Sequence, residues 1–298
     1  MGSFVWQKEE KGISYMDLTS PKDIRNIANM FGFTFKKGLG QNFLTDRTVL
    51  EDIAEAAGGA ECIIDIGPGF GVLTQELAEN FEKVVAIETD ESLKSVLAYT
   101  LSDYKNVEVV WGDVLKTNLS ELIDEKFQGM KVSVAANLPY YVTTPIITEL
   151  VTKGLPVSDI VIMIQKEVAE RICAKPGTKS YGALSVMCQY YTNPELVTTV
   201  KAECFVPAPK VDSAVVKMSV CEKPNVLVED EAFFFKTVQA AFSQRRKTLL
   251  NCLCGYFKCN KEKTEMLLNE IEIDPKRRGE TLSLEDFAKL SERIKDVI

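Results

Sequence analysis

ECIIDIGPGFGVLTQELAEN (61–80) reads as a strand, a glycine turn and a helix in succession. ECIIDI (61–66) is a short unbroken apolar run that ends at a turn signal, the pattern of a parallel strand buried on both faces. GPGFG (67–71) breaks it, and VLTQELAEN (72–80) resumes as a helix. Glycine lets the backbone pass close to a ligand without interference from a Cβ. Gly67 and Gly69 suit the tight turn, and Gly71 the point where the helix packs. Such a turn opens many nucleotide-type sites, so its chemistry must come from its surroundings.

C-terminal to this unit the alternation repeats. KVVAIE (83–88), VEVVWGD (107–113), KVSVAAN (131–137) and DIVIMI (159–164) read as strands. Between them ESLKSVLAYTL (91–101), LSELIDEKF (119–127) and TPIITELVTKG (144–154) carry helical periodicity. Strands alternating with helices imply a doubly wound, Rossmann-like α/β sheet. VDSAVVKMSV (211–220) reads as a late, antiparallel strand. N-terminally, 21–35 is amphipathic and helical, and Thr45 or Asp46 can cap a helix carrying Val49, Leu50, Ile53 and Ala54. After KPN (223–225) the pattern is helical with no strand signal. We therefore divide the chain near Pro224 into an α/β domain (1–224) and a small all-helical domain (225–298). Residues 1–20 are expected to be a flexible extension, with Met16 a possible functional start.

Composition excludes several kinds of chemistry. The chain has 298 residues and no histidine, so Ser-His-Asp or Cys-His nucleophiles and imidazole proton shuttles are ruled out. Eight cysteines stand without paired spacing, which fits a reduced, cytoplasmic setting. Cys252, Cys254 and Cys259 cluster, but without histidine or ligand pairs they read as small helix-packing residues rather than a metal site. No run is long and apolar enough to span a membrane. The net charge is −8, so a nucleic-acid partner would have to be met by local basic groups. Lys36-Lys37, Arg245-Arg246-Lys247 and Lys276-Arg277-Arg278 are the candidates.

The strand ends define the expected cofactor. Glu88 closes the second strand about twenty residues beyond the glycines, where a carboxylate can accept both hydroxyls of a ribose. Asp113 ends the third and can accept from an adenine amino group. The G-x-G-x-G spacing is tighter than the G-x-G-x-x-G that seats a pyrophosphate, and acidic strand ends suit a positively charged sulfonium. Together these features point to S-adenosylmethionine, with S-adenosylhomocysteine as product and no metal.

NLPY (137–140) follows the fourth strand, also at its carboxyl end. An adenine amine is a poor nucleophile because its lone pair is delocalised into the ring. Hydrogen bonds from its N–H groups to the Asn137 side-chain oxygen and to a backbone carbonyl, that of Leu138, favour tetrahedral nitrogen. Pro139 stiffens the turn, and Tyr140 offers a face for a base turned out of its helix.

NLPY resembles the N-P-P-Y signature of adenine amino-methyltransferases. The likeness extends through GLGQNFLTD (38–46), IDIGPGFGVLT (64–74), ANLPYYVTTP (136–145), QKEVAERI (165–172), YGALSVMCQYY (181–191), FVPAPKVDSAVVKM (205–218) and AFSQRRKTLLN (241–251). Together these resemble the KsgA/RsmA family, the 16S rRNA adenine dimethyltransferases. The resemblance implies dimethylation of two adjacent adenosines in the 3′-terminal hairpin of small-subunit rRNA, within a pre-assembled ribosomal particle and by a monomer. It implies cofactor contacts at Asn42, Leu44, Gly67, Glu88, Asp113 and Asn137, with Gly69 in the same turn. It implies that Asn137, Leu138 and Tyr140 hold the target, that Phe205 stacks on its other face, and that Arg245, Arg246 and Lys247 contact RNA. Macrolide-resistance methyltransferases of large-subunit rRNA share fold and motif and form the alternative, as does an assembly factor acting mainly by binding.

Overall fold

The structure, a computed structural model, describes residues 17–34 and 42–298. The calls on Met16, on Lys36-Lys37 and on residues 38–41 lie outside the described residues. Helix α1 (Pro21–Met30) starts at Ser20, whose hydroxyl accepts the Asp23 amide. It is shorter than its periodicity suggests because the chain turns at Gly32, where φ is +61°. A two-residue strand β1 (Phe43–Leu44) follows, then α2 (Arg47–Ala57), capped by Asp46 accepting from the Thr48 amide.

The alternating unit then runs β2 (Cys62–Ile66), α3 (Val72–Asn80), β3 (Lys83–Glu88), α4 (Lys94–Thr100), β4 (Val107–Trp111), α5 (Leu119–Phe127), β5 (Val132–Asn137), α6 (Thr143–Thr152) and β6 (Asp159–Gln165). Beyond it come α7 (Lys166–Ile172), α8 (Ala183–Tyr191), β7 (Thr192–Val200), β8 (Phe205–Val206) and β9 (Ser213–Val220). The remainder is helical: α9 (Glu231–Phe242), α10 (Leu249–Phe257), α11 (Lys261–Glu270) and α12 (Leu284–Ile294).

Seven strands form one sheet in the order β4-β3-β2-β5-β6-β9-β7. The pairs from β4 to β6 are parallel, whereas β9 runs antiparallel to both β6 and β7. The chain winds outward from β2 through β3 to β4, then returns to the other side of β2 with β5. The topological switch point therefore lies between β2 and β5, where Ile66 pairs with Ala136. The next residues are Gly67 and Asn137, so the fold itself brings the two sequence motifs side by side.

Both sheet faces are covered, which is why the central strands are mostly apolar, with Asp65 in β2 and Ser133 in β5 as buried polar exceptions. Ile64, Val134 and Ile162 pack with Leu122, Ile147 and Leu150 on one face. Ile63, Ala135 and Val161 pack with Ile24, Ile53 and Leu77 on the other. A third core holds Phe234, Leu249, Leu268 and Phe287 of the C-terminal helices. It also recruits Val186 and Tyr190 from α8, so the helical region is seated on the α/β region by shared packing.

Three strands, β1, β7 and β8, escape the sequence reading. β7 carries the pattern TNPELVTTV and includes Pro194, which lacks an N–H and is tolerated because β7 is an edge strand paired with β9 alone. β1 is too short for periodicity, and its partner β8 lies about 160 residues away. Leu44 and Phe205 face each other in that small antiparallel pair. No helix among the described residues is long and apolar enough to cross a membrane.

Candidate active site

A cavity of about 440 Å³ opens at the carboxyl ends of β2, β3 and β5. Asn42, Leu44, Gly67, Gly69, Glu88, Asp113, Asn137, Leu138, Pro139, Tyr140 and Phe205 all line it, so every residue expected to touch cofactor or target base meets in one place. Among the described residues, no group of three or more His, Cys, Asp or Glu side chains could hold a metal.

The glycine loop is built as the motif requires. Gly67 and Gly69 have φ of +75° and +59°, in the left-handed region that favours glycine. A Cβ at Gly69 would lie 2.7 Å from Phe43 Cε1, so the loop packs tightly beneath β1. Glu88 is only 7% exposed and ties the loop to its own strand end. Oε2 accepts from the Gly69 amide (3.1 Å) and Oε1 from the Asp90 amide (2.7 Å). Burial pushes its carboxyl up, while those backbone donors pull the other way. A buried carboxylate with spare lone pairs beside a glycine turn fits the paired hydroxyls of a ribose. Asp113 is at the cavity rim, where Oδ1 caps the following turn through the Leu115 amide (3.1 Å) and Lys116 Nζ approaches Oδ2 at 3.7 Å.

Behind the loop sits a carboxylate that sequence reasoning passed over. Asp65 in β2 is fully buried; Oδ2 accepts from Thr74 Oγ1 (2.6 Å), and Oδ1 has no hydrogen-bond partner among the described residues. Burial raises its pKa from 3.8 to about 7, with the Glu88 charge adding to the rise. In the unfolded chain Asp65 ionises near 3.8, so between that pH and about 7 the folded state binds more protons. Stability contributed at this position therefore falls as pH rises through that window and is level above it. We expect the difference in unfolding free energy, wild type minus Asp65→Asn, to decline across the same window; pH profiles that run parallel would contradict this assignment.

The target end is equally ordered. Asn137 lines the cavity, and its Nδ2 donates to the Asn42 carbonyl (3.2 Å). The Leu138 amide donates to Met163 O (3.1 Å), which fixes the turn against β6. The Pro139 carbonyl is already engaged by Thr143 Oγ1 and the Val142 amide. Tyr140 is half-buried, and its hydroxyl lies 2.8 Å from Ser213 Oγ at the start of β9. Burial holds the Tyr140 phenol above its ordinary pKa. Phe205 is 3% exposed, at once a core residue and part of the cavity wall. Ser213 is the second residue the sequence reading passed over: VDSAVV was legible as a strand, but not its hydroxyl's partner 73 residues away.

This geometry can be compared with known proteins. The ribosomal RNA adenine dimethylase family model matches residues 32–296. The chain belongs to the ribosomal RNA adenine dimethylase family. It is 50% identical over 288 residues to ribosomal RNA small subunit methyltransferase A of a Geobacillus species, covering 95% of this chain and 99% of that one. The Bacillus cytotoxicus protein of the same name is 52% identical over 284 residues, covering 92% and 96%. Among solved structures, a dimethyladenosine transferase from Plasmodium falciparum superposes with a TM-score of 0.70 at 26% identity, covering 85% of this chain and 97% of that one. The 23S rRNA methyltransferase ErmE gives 0.66 at 25% identity, covering 85% and 100%. The chain is built on a doubly wound sheet with helices on both faces, the fold that these superpositions share.

The basic triplet needs one correction. Arg245, Arg246 and Lys247 do not lie on a helix; they occupy the exposed turn between α9 and α10. The helical pattern expected beyond 225 is interrupted where Ser243 ends α9 and Thr248 caps α10. Arg245 Nη2 donates to Lys179 O (2.8 Å), and the Leu249 amide donates to Arg277 O (2.6 Å). The second basic cluster is thereby drawn beside the first. Within it Arg277 is bound to Thr281 and Asp286, whereas Lys276 and Arg278 are exposed.

Proposed function

We propose that this dimethylase transfers methyl groups from S-adenosylmethionine to the exocyclic amines of two adjacent adenosines near the 3′ end of small-subunit rRNA, within an assembled particle. The observation that carries this reading is the convergence of the glycine loop, Glu88 and the Asn137–Tyr140 turn on one cavity. About 50% identity over nearly the whole chain to proteins named for the small subunit, against 25% to ErmE, favours that substrate over large-subunit rRNA.

The cofactor, when bound, supplies an electrophilic methyl on a sulfonium. The chain's own residues hold and prepare the nucleophile. With Nδ2 committed to Asn42, Asn137 Oδ1 accepts one amine N–H. Since the Pro139 carbonyl is occupied, the Leu138 carbonyl is the acceptor for the other. Both bonds draw the nitrogen towards tetrahedral geometry. Tyr140, held by Ser213, stacks on the base, with Phe205 opposite. The amine becomes strongly acidic only after alkylation, so no near-neutral base is needed beforehand, as a histidine-free chain demands. Orienting the amine within the cavity supplies much of the rate.

RNA attraction must be local, because the molecule as a whole is acidic. We assign it to the Arg245–Lys247 turn together with Lys276 and Arg278, all exposed. Replacing Arg245, Arg246 and Lys247 by alanine should weaken particle binding and flatten its salt dependence, since fewer counterions are released. Cofactor affinity should not change. Binding measured at several salt concentrations checks this; an unaltered slope at wild-type affinity would make the triplet a solvated surface. The substrate itself is tested by offering labelled S-adenosylmethionine with undermethylated small or large subunits. Label should enter the small subunit, and label in the large subunit alone would favour the alternative.

A further inference from the structure

Two consecutive tyrosines stand on the turn between β5 and α6, and the protein treats them differently. Tyr140 is half-buried and tethered to Ser213. Tyr141 is 64% exposed, yet it lines the mouth of the same cavity. Other exposed tyrosines have aromatic company: Tyr99 packs on Phe31 with ring centroids 5.4 Å apart, and Tyr256 on Phe257 at 5.2 Å. Tyr141 has neither a ring partner nor a hydrogen bond among the described residues.

An adenine turned into the cavity leaves its neighbour on the strand without a stacking partner, and that loss opposes binding. A free aromatic face at the rim, one residue from the ring that receives the target, can restore the stack. We propose that Tyr141 is the platform for the base flanking the target adenosine. The ligand is an unpaired RNA nucleobase of any identity, because every base presents a π-face. With two adjacent adenosines as substrate, the platform holds one while the other occupies the cavity. The ring should matter and the hydroxyl should not, since no described residue engages that hydroxyl.

This inference rests on the proposed reaction, so wild-type methylation of undermethylated small-subunit particles is the control. No transfer there would remove both claims; transfer by the wild type leaves the platform to be judged by the variants alone. Tyr141→Ala and Tyr141→Leu should raise KM for the particle roughly 5- to 100-fold, the range of one lost base–aromatic stack. The kcat should change far less, and Tyr141→Phe should behave as wild type. Calorimetry should find S-adenosylmethionine affinity unchanged in all three. Wild-type KM in Tyr141→Leu would overturn the platform. So would a Tyr141→Phe protein as impaired as Tyr141→Ala, which would shift the role to the hydroxyl. Weakened cofactor binding would instead assign Tyr141 to the cofactor side of the cavity and equally overturn the inference.

Discussion

Asn137→Ala should lower kcat for methylation of small-subunit particles by roughly 10²–10³-fold, the size of effect seen when a preorganised polar group is removed from a reacting centre. The expectation follows from how the amide is held. Its Nδ2 is bound to the Asn42 carbonyl, so the amide is held at the cavity wall before any substrate arrives. Alanine removes the acceptor that favours tetrahedral nitrogen and also frees Asn42, so a smaller loss of cofactor affinity should accompany the loss of turnover. The fold should survive, because Asn137 ends β5 and its backbone pairing with Met163 does not depend on the side chain. Single-turnover rates with saturating particle and cofactor separate chemistry from binding. A variant that keeps near-wild-type single-turnover rates would show that the amide does not act on the amine, and that the protein serves mainly by binding.

Glu88→Ala should weaken S-adenosylmethionine binding by about 1–3 kcal/mol, the worth of hydrogen bonds to a charged acceptor. Two losses combine. The ribose hydroxyls lose their acceptor, and the Gly69 amide loses the carboxylate oxygen that holds the loop at 3.1 Å. Glu88→Gln should fall between alanine and wild type, since an amide oxygen still accepts one bond. Because burial raises the Glu88 pKa, cofactor affinity in the wild type should also decline as the solution is acidified through that pKa. The glutamine variant should lack that decline. Unchanged affinity in Glu88→Ala by calorimetry would remove Glu88 from the cofactor site.

Much of this was legible in the sequence because the relevant signals are local. The apolar run 61–66, its glycine break and the following helix declare strand, turn and helix within twenty residues, and the repeated alternation imposes a doubly wound sheet. Once the sheet is granted, Gly67, Glu88, Asp113 and Asn137 fall at neighbouring strand ends, which is why these four can be named from spacing and chemistry, whereas Asn42, Leu44 and Phe205 follow only from the family resemblance. Contacts between distant segments could not be read this way. The β1–β8 pair that holds Leu44 against Phe205 spans about 160 residues and has no periodicity of its own. Ser213 declares itself only when β9 enters the sheet beside β6 and meets Tyr140. Asp65 falls inside a run whose apolar pattern already predicts burial, but its bond to Thr74 in the next helix appears only once the strand and helix are packed. The turn at 245–247 is hidden in a pattern that reads as helical beyond 225, because its flanks are both helical and only the Thr248 cap marks the break.

The central claim is that this cavity converts adjacent adenosines of small-subunit rRNA to dimethyladenosines. It is tested most directly by incubating purified protein and S-adenosylmethionine with small-subunit particles that lack those methyl groups, then mapping the modified nucleotides by mass spectrometry of rRNA fragments. The account predicts two neighbouring N6,N6-dimethyladenosines in the 3′-terminal hairpin, formed far more slowly when Asn137→Ala replaces the wild-type protein. Methyl groups on other nucleotides, or none on that hairpin from an otherwise active preparation, would contradict it.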